Sequence, residues 1–458
     1  MTPEIFEKLL ELLNSNSFNS LRSELSEFNE VDIADFIAEL NKDQTLLVFR
    51  ILPKDLAAEV FSYLEPEQQQ HIVQSITDKE LTALVDELYI DDTVDFLEEV
   101  PANIVHRVLA VTDAETRQTI NKFLKYEENS AGSIMTCELV EIKASFTAEE
   151  ALAHIRKTGV DKETVYTCYC LDSRRRLVGT VGLRSIVFAS PDQLISDIME
   201  DGDAIVCVKT SDDQEYVADI ARKYDLLSIP VVDSENRLVG IVTIDDIVDI
   251  IEEENTEDFE KMALLVPNED AYLKTPVVTL AKNRIVWLMI LMVSATFTGL
   301  IIEGFENKLA LISGLTAAIP MLMDTGGNSG NQVSTLIIRG LALGEITIKD
   351  YLKVLWKELR VALMCGSALA LANFARMWII GRISGSYAEP QQYMIYLVVC
   401  LAMFFAVIVA KLIGCTLPML AKKFKLDPAL MAGPMITTIV DGLALMIYFG
   451  LASALLTF

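Results

Sequence analysis

Residues 433–452, GPMITTIVDGLALMIYFGLA, carry a single charge, Asp441, inside an apolar run long enough to cross a bilayer. An ionised carboxylate in hydrocarbon costs roughly 3 kcal/mol or more, so it needs an aqueous cavity, a partner or an ion. Pro434, which frees a backbone carbonyl, and Thr437 and Thr438, one turn before the acid, add oxygen atoms. A second polar stretch, DTGGNSGNQ (324–332), interrupts another apolar run. Its Gly326, Gly327 and Gly330, with Asn328, Asn331 and Gln332 beside Asp324, are expected to unwind a helix and expose carbonyls along a polar path. Tight helix packing through small residues is the competing expectation; for Asp441 it is an internal partner such as Arg376 or Lys411. Oxygen donors without nearby His or Cys select a hard cation, Mg2+ or Ca2+, over Zn2+ or Cu+. Mg2+ gives up water reluctantly, so a few oxygens around a hydrated ion suffice.

The elements that must position these residues follow from where the charges fall. Of 66 Asp/Glu and 38 Lys/Arg, residues 275–458 hold 9 and 14, which leaves 57 acids against 24 bases in the first 274. A strongly acidic soluble half is thus joined to a weakly basic apolar half, and the acidity excludes nucleic acid as a partner. The first residues, an acidic amphipathic pattern, lack a signal-peptide layout, so the soluble half is expected in the cytoplasm. Seven cysteines without framework spacing fit reduced thiols, and Cys168-Tyr169-Cys170 fits a half-buried strand. The three histidines (His71, His106, His154) support neither a zinc site nor a Ser-His-Asp triad, and no phosphate-cradling GxxxxGK[ST] occurs, so no enzyme is expected.

Four regions are expected. Residues 1–130 read as short helices with Pro, Asp and Thr at the joints, and Pro53/Pro101, Glu67/Glu115 and Ile72/Ile120 mark a weak repeat suited to a helical superhelix. Residues 131–250 hold a clearer α/β repeat: RRLVGTVGLRSIV (175–187) recurs as NRLVGIVTIDDIV (236–248), and GSIMT (132–136) as SDIME (196–200). This order resembles tandem CBS domains. Residues 251–275 continue an acidic connector, IDDIVDIIEEENTEDFEKMA, with nine acids and one lysine, either merely solvated or relieved of its repulsion by bound cations. Residues 276–458 form an all-α region with five expected spans: 285–302, 309–323, 361–375, 391–410 and one from 429. Arg339, Lys349, Lys353, Lys357, Arg360, Lys422, Lys423 and Lys425 fall in the loops that lie inside if the N-terminus is inside.

An acidic helical region, CBS-like repeats, an acidic connecting (plug) helix and five spans bearing GGNSGNQ and AGPMITTIVDG together resemble the MgtE family of magnesium channels and transporters over essentially the whole chain. The resemblance implies a homodimer in the cell (inner) membrane with a pore between the transmembrane parts, where Asp441 helps bind hydrated Mg2+. It also implies gating: Mg2+ bound to the acidic regions holds a closed state, and repulsion opens it when Mg2+ falls. The acids matching by local sequence are Glu59, Asp91, Asp95, Asp213, Glu215, Asp225, Asp246, Asp249, Glu254, Glu257 and Asp258, with Asp427 at the entrance to the last span. ATP in the CBS cleft is a further implication. The alternatives are a less selective carrier of Co2+ or Ca2+, and a nucleotide-sensing regulator that the spans merely anchor.

Overall fold

Prolines and polar caps divide the acidic half into short helices. The computed structural model describes residues 2–160, 162–268, 272–273, 275–309, 315–384 and 390–456, and the chain falls into two units, Met1–Glu252 and Glu253–Phe458. The first begins with α1 (Pro3–Asn14), α2 (Phe18–Leu25), α3 (Glu30–Ala38), α4 (Lys42–Ile51), α5 (Lys54–Ser62), α6 (Pro66–Ser75), α7 (Asp78–Val85), α8 (Ile90–Glu99), α9 (Ala102–Val111) and α10 (Ala114–Phe123). Asn29, Asn41, Thr77 and Asp113 cap helix starts through their side chains, and Pro53 and Pro101 stand at the same place before α5 and α9. From α3 to α10 each helix packs on the one two places further on, which is the superhelical pattern. Phe61 lies edge-on to Phe96 at 5.2 Å in its core.

The α/β repeat then contributes β1 (Val140–Ile142), α11 (Ala148–Thr158), β2 (Thr167–Leu171), β3 (Leu177–Gly182), α12 (Leu183–Phe188), β4 (Glu200–Asp201), β5 (Val208–Lys209), α13 (Gln214–Tyr224), β6 (Ser228–Val232), β7 (Leu238–Thr243) and the start of α14 (Ile244–Met262). In each half a short parallel strand precedes an antiparallel pair: β1-β2-β3, extended by β4, and β5-β6-β7. The repeat reaches individual turns. Asp172 accepts hydrogen bonds from the Arg174 and Arg176 amides, as Asp233 does from those of Glu235 and Arg237. Cys168, Tyr169 and Cys170 do lie in a strand, but all three are buried because the second half covers its outer face; Tyr169 Oη meets Ser228 Oγ at 2.8 Å.

The second unit carries the end of α14 and five long helices: α15 (Val277–Leu309), α16 (Leu315–Ala342), α17 (Tyr351–Ser384), α18 (Pro390–Lys423) and α19 (Gly433–Leu455). Against the five expected spans, four helical stretches among the described residues are long and apolar enough to cross a membrane, within α15, around α17, within α18 and around α19. The exception is α16, whose middle is Asp324–Gln332. The last turn of α15 and residues 310–314, where the second span was expected to begin, lie at or beyond the limit of the description. Helix α18 packs on α16, α17 and α19, and α15 leans mainly on α19, where Phe305 stacks on Phe449 at 4.5 Å.

Candidate functional site

Helix α16 is unbroken through the glycine-amide stretch, which corrects the expected unwinding. Its glycines permit close approach instead. A Cβ on Gly327 would lie 2.9 Å from Thr437, one on Gly330 would lie 2.7 Å from Ile436, and one on Gly326 would lie 3.0 Å from Val440. Across the same seam, a Cβ on Gly414 of α18 would lie 2.5 Å from the Gly330 carbonyl oxygen. Each helical glycine sacrifices about 1 kcal/mol of intrinsic preference; backbone contact between helices, the main source of association in lipid, offsets it. Pro434 also leaves its helix intact, because it occupies the first turn of α19, where a missing N–H costs nothing. Thr437 and Thr438 donate back to the carbonyls of Gly433 and Pro434 at 3.1 and 2.9 Å.

The polar side chains of α16 form a stripe. Asp324, Asn328 and Thr335 are exposed and Asn331 half-buried, at steps of four, three and four that fall on one helix face. Asn328 donates to Asp324 at 3.1 Å, and Asn331 donates to Thr437 of α19 at 3.1 Å. Two buried oxygens beside this bond, Asn331 Oδ1 and Asp441 Oδ1, have no hydrogen-bond partner among the described residues. Neither expected internal partner reaches Asp441. Arg376 donates to Asn373 at 2.9 Å and contacts Met321 Sδ, and buried Lys411 makes no ion pair among the described residues. A polar helix face with an unanswered carboxylate beside it suits a hard cation.

At the start of α19 the acids of the connector meet the helix entrance. Lys261 lies 2.8 Å from Glu257 and 2.8 Å from Asp427, and Asp427 also accepts the Ala429 amide at 2.8 Å. Burial works against the Lys261 ammonium, but hydrogen bonds to Asp427 and Glu257 overcome it and hold its pKa above the ordinary lysine value. Asp258 is pushed up by desolvation first and then by Asp427, with Glu254 and Glu257 adding to the repulsion that Lys261 partly relieves. Gly433 is required here: its φ is +42°, and a Cβ would lie 2.8 Å from the Met262 carbonyl oxygen that closes α14. Four expected ligands, Glu254, Glu257, Asp258 and Asp427, are therefore together, with a lysine among them.

In the first unit α8 and the start of α14 bring further acids together. Asp91 is raised well above the usual carboxylate range by desolvation, then by Asp92, Asp246, Glu163 and Glu138. Asp95 is pushed to about 7 and Asp92 to about 6, each by desolvation first and Asp246 next. Asp246 itself reaches about 6, again chiefly through desolvation, despite accepting from Thr243 at 2.7 Å. Glu163 reaches about 7 through desolvation and the charges of Asp245, Asp92, Asp246 and Glu138. Asp91 Oδ1 and Glu163 Oε2 are buried without a hydrogen-bond partner among the described residues. Glu59 is raised by desolvation, Glu30 and Asp55, and adjoins the cluster through Tyr89, which feels Glu163, Glu59, Glu138 and Asp91. Asp249 is raised by desolvation, Asp245 and Glu252. Among the described residues no three such side chains converge tightly enough to enclose a bare ion.

Three expected ligands stand elsewhere. Asp213 caps α13, accepting the Glu215 amide at 2.9 Å, so this pair sits at a helix start. Asp225 ends α13 in the left-handed region (φ 53°) and lines a cleft of about 610 Å³ with Thr167, Thr180, Arg184, Phe188 and Ser228. Sequence reasoning missed Asp92, Asp245, Glu138, Glu163 and Lys261. Only Lys261 left a signal, as the one base in an acidic stretch.

Comparison with known proteins follows these regions. Residues 319–451 match the family described as "Divalent cation transporter", residues 28–129 the MgtE intracellular N domain, and residues 195–253 the CBS domain. The chain is 35% identical to the magnesium transporter MgtE of Thermus thermophilus over 460 residues, covering 100% of this chain and 99% of that one. It is 28% identical to the magnesium transporter MgtE of Bacillus subtilis, over 98% of this chain and 97% of that one. Among solved structures it resembles the cytosolic domain of the Mg2+ channel MgtE in complex with ATP (36% identity, TM-score 0.51, 54% of this chain and 99% of that one). It also resembles the soluble part of a magnesium transporter (30% identity, TM-score 0.52, 55% of this chain and 98% of that one).

Proposed function

Because the chain belongs to the MgtE family, we propose that it carries Mg2+ across the membrane along the exposed polar face of α16 beside α19, where the transmembrane parts of two copies would meet, and is closed by Mg2+ held on its own acids. One observation carries this reading: Asp441, the only acid of α19, stands with an unpartnered oxygen beside the polar stripe of α16. Hydrated Mg2+ is the substrate. Asp441 attracts its charge, while the Asn331 amide and the Thr437 hydroxyl supply oxygens to its water shell. Retaining that shell lets the ion leave again, which a dehydrated, fully enclosed ion would not do. A divalent ion moving inward gains roughly 4–5 kcal/mol per 100 mV of membrane potential.

The regulatory part works by population shift. The acids around Asp91 and Asp246, and those around Asp258 and Asp427, repel one another, and a cation between them favours the arrangement that keeps them together. When cytosolic Mg2+ falls, that preference is lost and the closed arrangement with it. The residues that would hold the regulatory ions are Glu59, Asp91, Asp95, Asp246 and Asp249 in the first unit and Glu254, Glu257, Asp258 and Asp427 in the second; Asp92, Asp245, Glu138 and Glu163 join the first set. Asp213 and Glu215 remain assigned to cation sensing on local resemblance. The cleft that Asp225 lines has the size and the Arg184 charge to receive ATP, the ligand bound by the related cytosolic domain.

The protein works as a homodimer in the cell (inner) membrane with its first unit in the cytoplasm, an orientation that the inner-loop lysines and arginines support. The test is Mg2+ influx into proteoliposomes holding the full-length protein, with Mg2+ varied independently on each side. Influx that stops as Mg2+ rises on the side of the first unit is the expected result; an absence of Mg2+ flux overturns the reading.

A further inference from the structure

We propose that Asp324 is a second cation-binding carboxylate of the conduction path, level with Asp441, and that it sets the preference for divalent over monovalent ions. The proposal rests on the polar face of α16 beside α19 being the Mg2+ path. The helices run antiparallel, since contacts move back along α16 as they move forward along α19: Ser334 with the Met431 carbonyl, Gly330 with Ile436, Gly327 with Thr437, Gly326 with Val440, and the Leu315 carbonyl with Tyr448. From the Gly327–Thr437 contact, one turn back on α16 is Asp324 and one turn forward on α19 is Asp441. The two acids therefore share one depth.

That depth is inside the membrane-spanning part. At 1.5 Å per residue Asp324 lies about 14 Å from the start of α16 and about 27 Å from its end. Its side chain is exposed in the single chain, and among the described residues its one hydrogen bond comes from Asn328 on its own helix. A single helix-surface pair of that kind is worth far less than the cost of a carboxylate in hydrocarbon. Asp324 heads the stripe that continues through Asn328 and Asn331 to Thr335, so it faces the path on which Asn331 meets Thr437.

Two carboxylates at one level discriminate by charge number. A divalent ion offsets more of their charge than a monovalent ion does, and so relieves more of their repulsion. Flux is measured in proteoliposomes for the wild-type chain and for Asp324→Asn, Asp324→Glu and Asp441→Asn. Asp324→Asn is expected to raise the half-saturating Mg2+ concentration about fivefold or more and to let Na+ compete. Asp324→Glu is expected to restore both values, which loss of folding would not allow. If Asp324→Asn is not monodisperse in detergent, Asp324→Ser supplies the same readout. Wild-type half-saturation and Na+ exclusion in the uncharged variant, with Asp441→Asn impaired, would overturn the role of Asp324 and leave the transport reading standing. A wild-type protein without Mg2+ flux would overturn both.

Discussion

Lys261 sits 2.8 Å from Asp427 and 2.8 Å from Glu257, so one ammonium joins the last turn of α14 to the turn that enters α19. It occupies part of the position a bound cation would take among Glu254, Glu257, Asp258 and Asp427. Both partners retain some exposure, 23% for Lys261 and 29% for Asp427, so the pair is worth about 1 kcal/mol, between exposed and buried examples. Lys261→Gln should therefore raise the Mg2+ concentration that half-inhibits influx roughly fivefold. Inhibition curves in proteoliposomes read this directly, and an unchanged midpoint would show that Lys261 contributes nothing to closure.

Asp441→Asn keeps the shape of the side chain and removes its charge. Loss of a charged interaction with the ion, about 1.5–3 kcal/mol, corresponds to a roughly tenfold to hundredfold fall in Mg2+ affinity for the path. Flux at low Mg2+ measures it. A variant that conducts like the wild type would remove Asp441 from the path.

The glycine seam predicts a packing defect of a different kind. Gly414→Val would drive a side chain into the Gly330 carbonyl, already 2.5 Å from where the first carbon would fall. Backbone cannot step aside cheaply, so a loss of about 1–3 kcal/mol is expected. Thermal denaturation in detergent should show a lowered midpoint, with Gly299→Ala, where a Cβ meets nothing within 4 Å, as the neutral control.

The raised carboxylates around Asp246 predict how pH acts on the first unit. Asp92 and Asp246 near 6 and Asp95 and Glu163 near 7 bind protons in the folded state that the unfolded chain has already released at those pH values. Stability without divalent ions should therefore fall as pH rises from about 4 to 7 and level off above about 8. Mg2+ should restore it at the upper end, where the acids are ionised and able to bind. Hydrogen exchange of α8 in the full-length protein, corrected for intrinsic pH dependence, measures both effects. Equal protection at about pH 5.5 and pH 8 without Mg2+ would contradict the crowding of these acids.

Much of this architecture was legible in the residues. Pro53 and Pro101 marked helix starts, and the paired RLVG segments announced a repeat that holds to the hydrogen bonds of Asp172 and Asp233. Strands β1 and β5 were not legible, since strands of three and two residues have no periodicity to read. The glycines of α16 were expected to unwind the helix, and the tight crossing was the competing expectation that the structure bears out. Only the neighbouring helices decide, because glycine permits both. Asp213, Glu215 and Asp225 illustrate a second limit: local likeness selects a position, whereas a cap or a cleft wall is defined by what folds against it. Glu163 was hidden for the converse reason, as the acids around it lie on other elements.

The stack of α1–α10 has a consequence for how the chain is made. Because each helix from α3 onward rests on a neighbour only two places along, its contacts close over short sequence distances, the topology that folds fastest. Synthesis proceeds at about 5–20 residues per second, so α10 emerges several seconds or more before the first apolar helix at Val277. The acidic region can complete its own packing in that interval. The ribosome then delivers the apolar helices for insertion behind a domain that has already buried its hydrophobic surface and no longer competes for the insertion machinery.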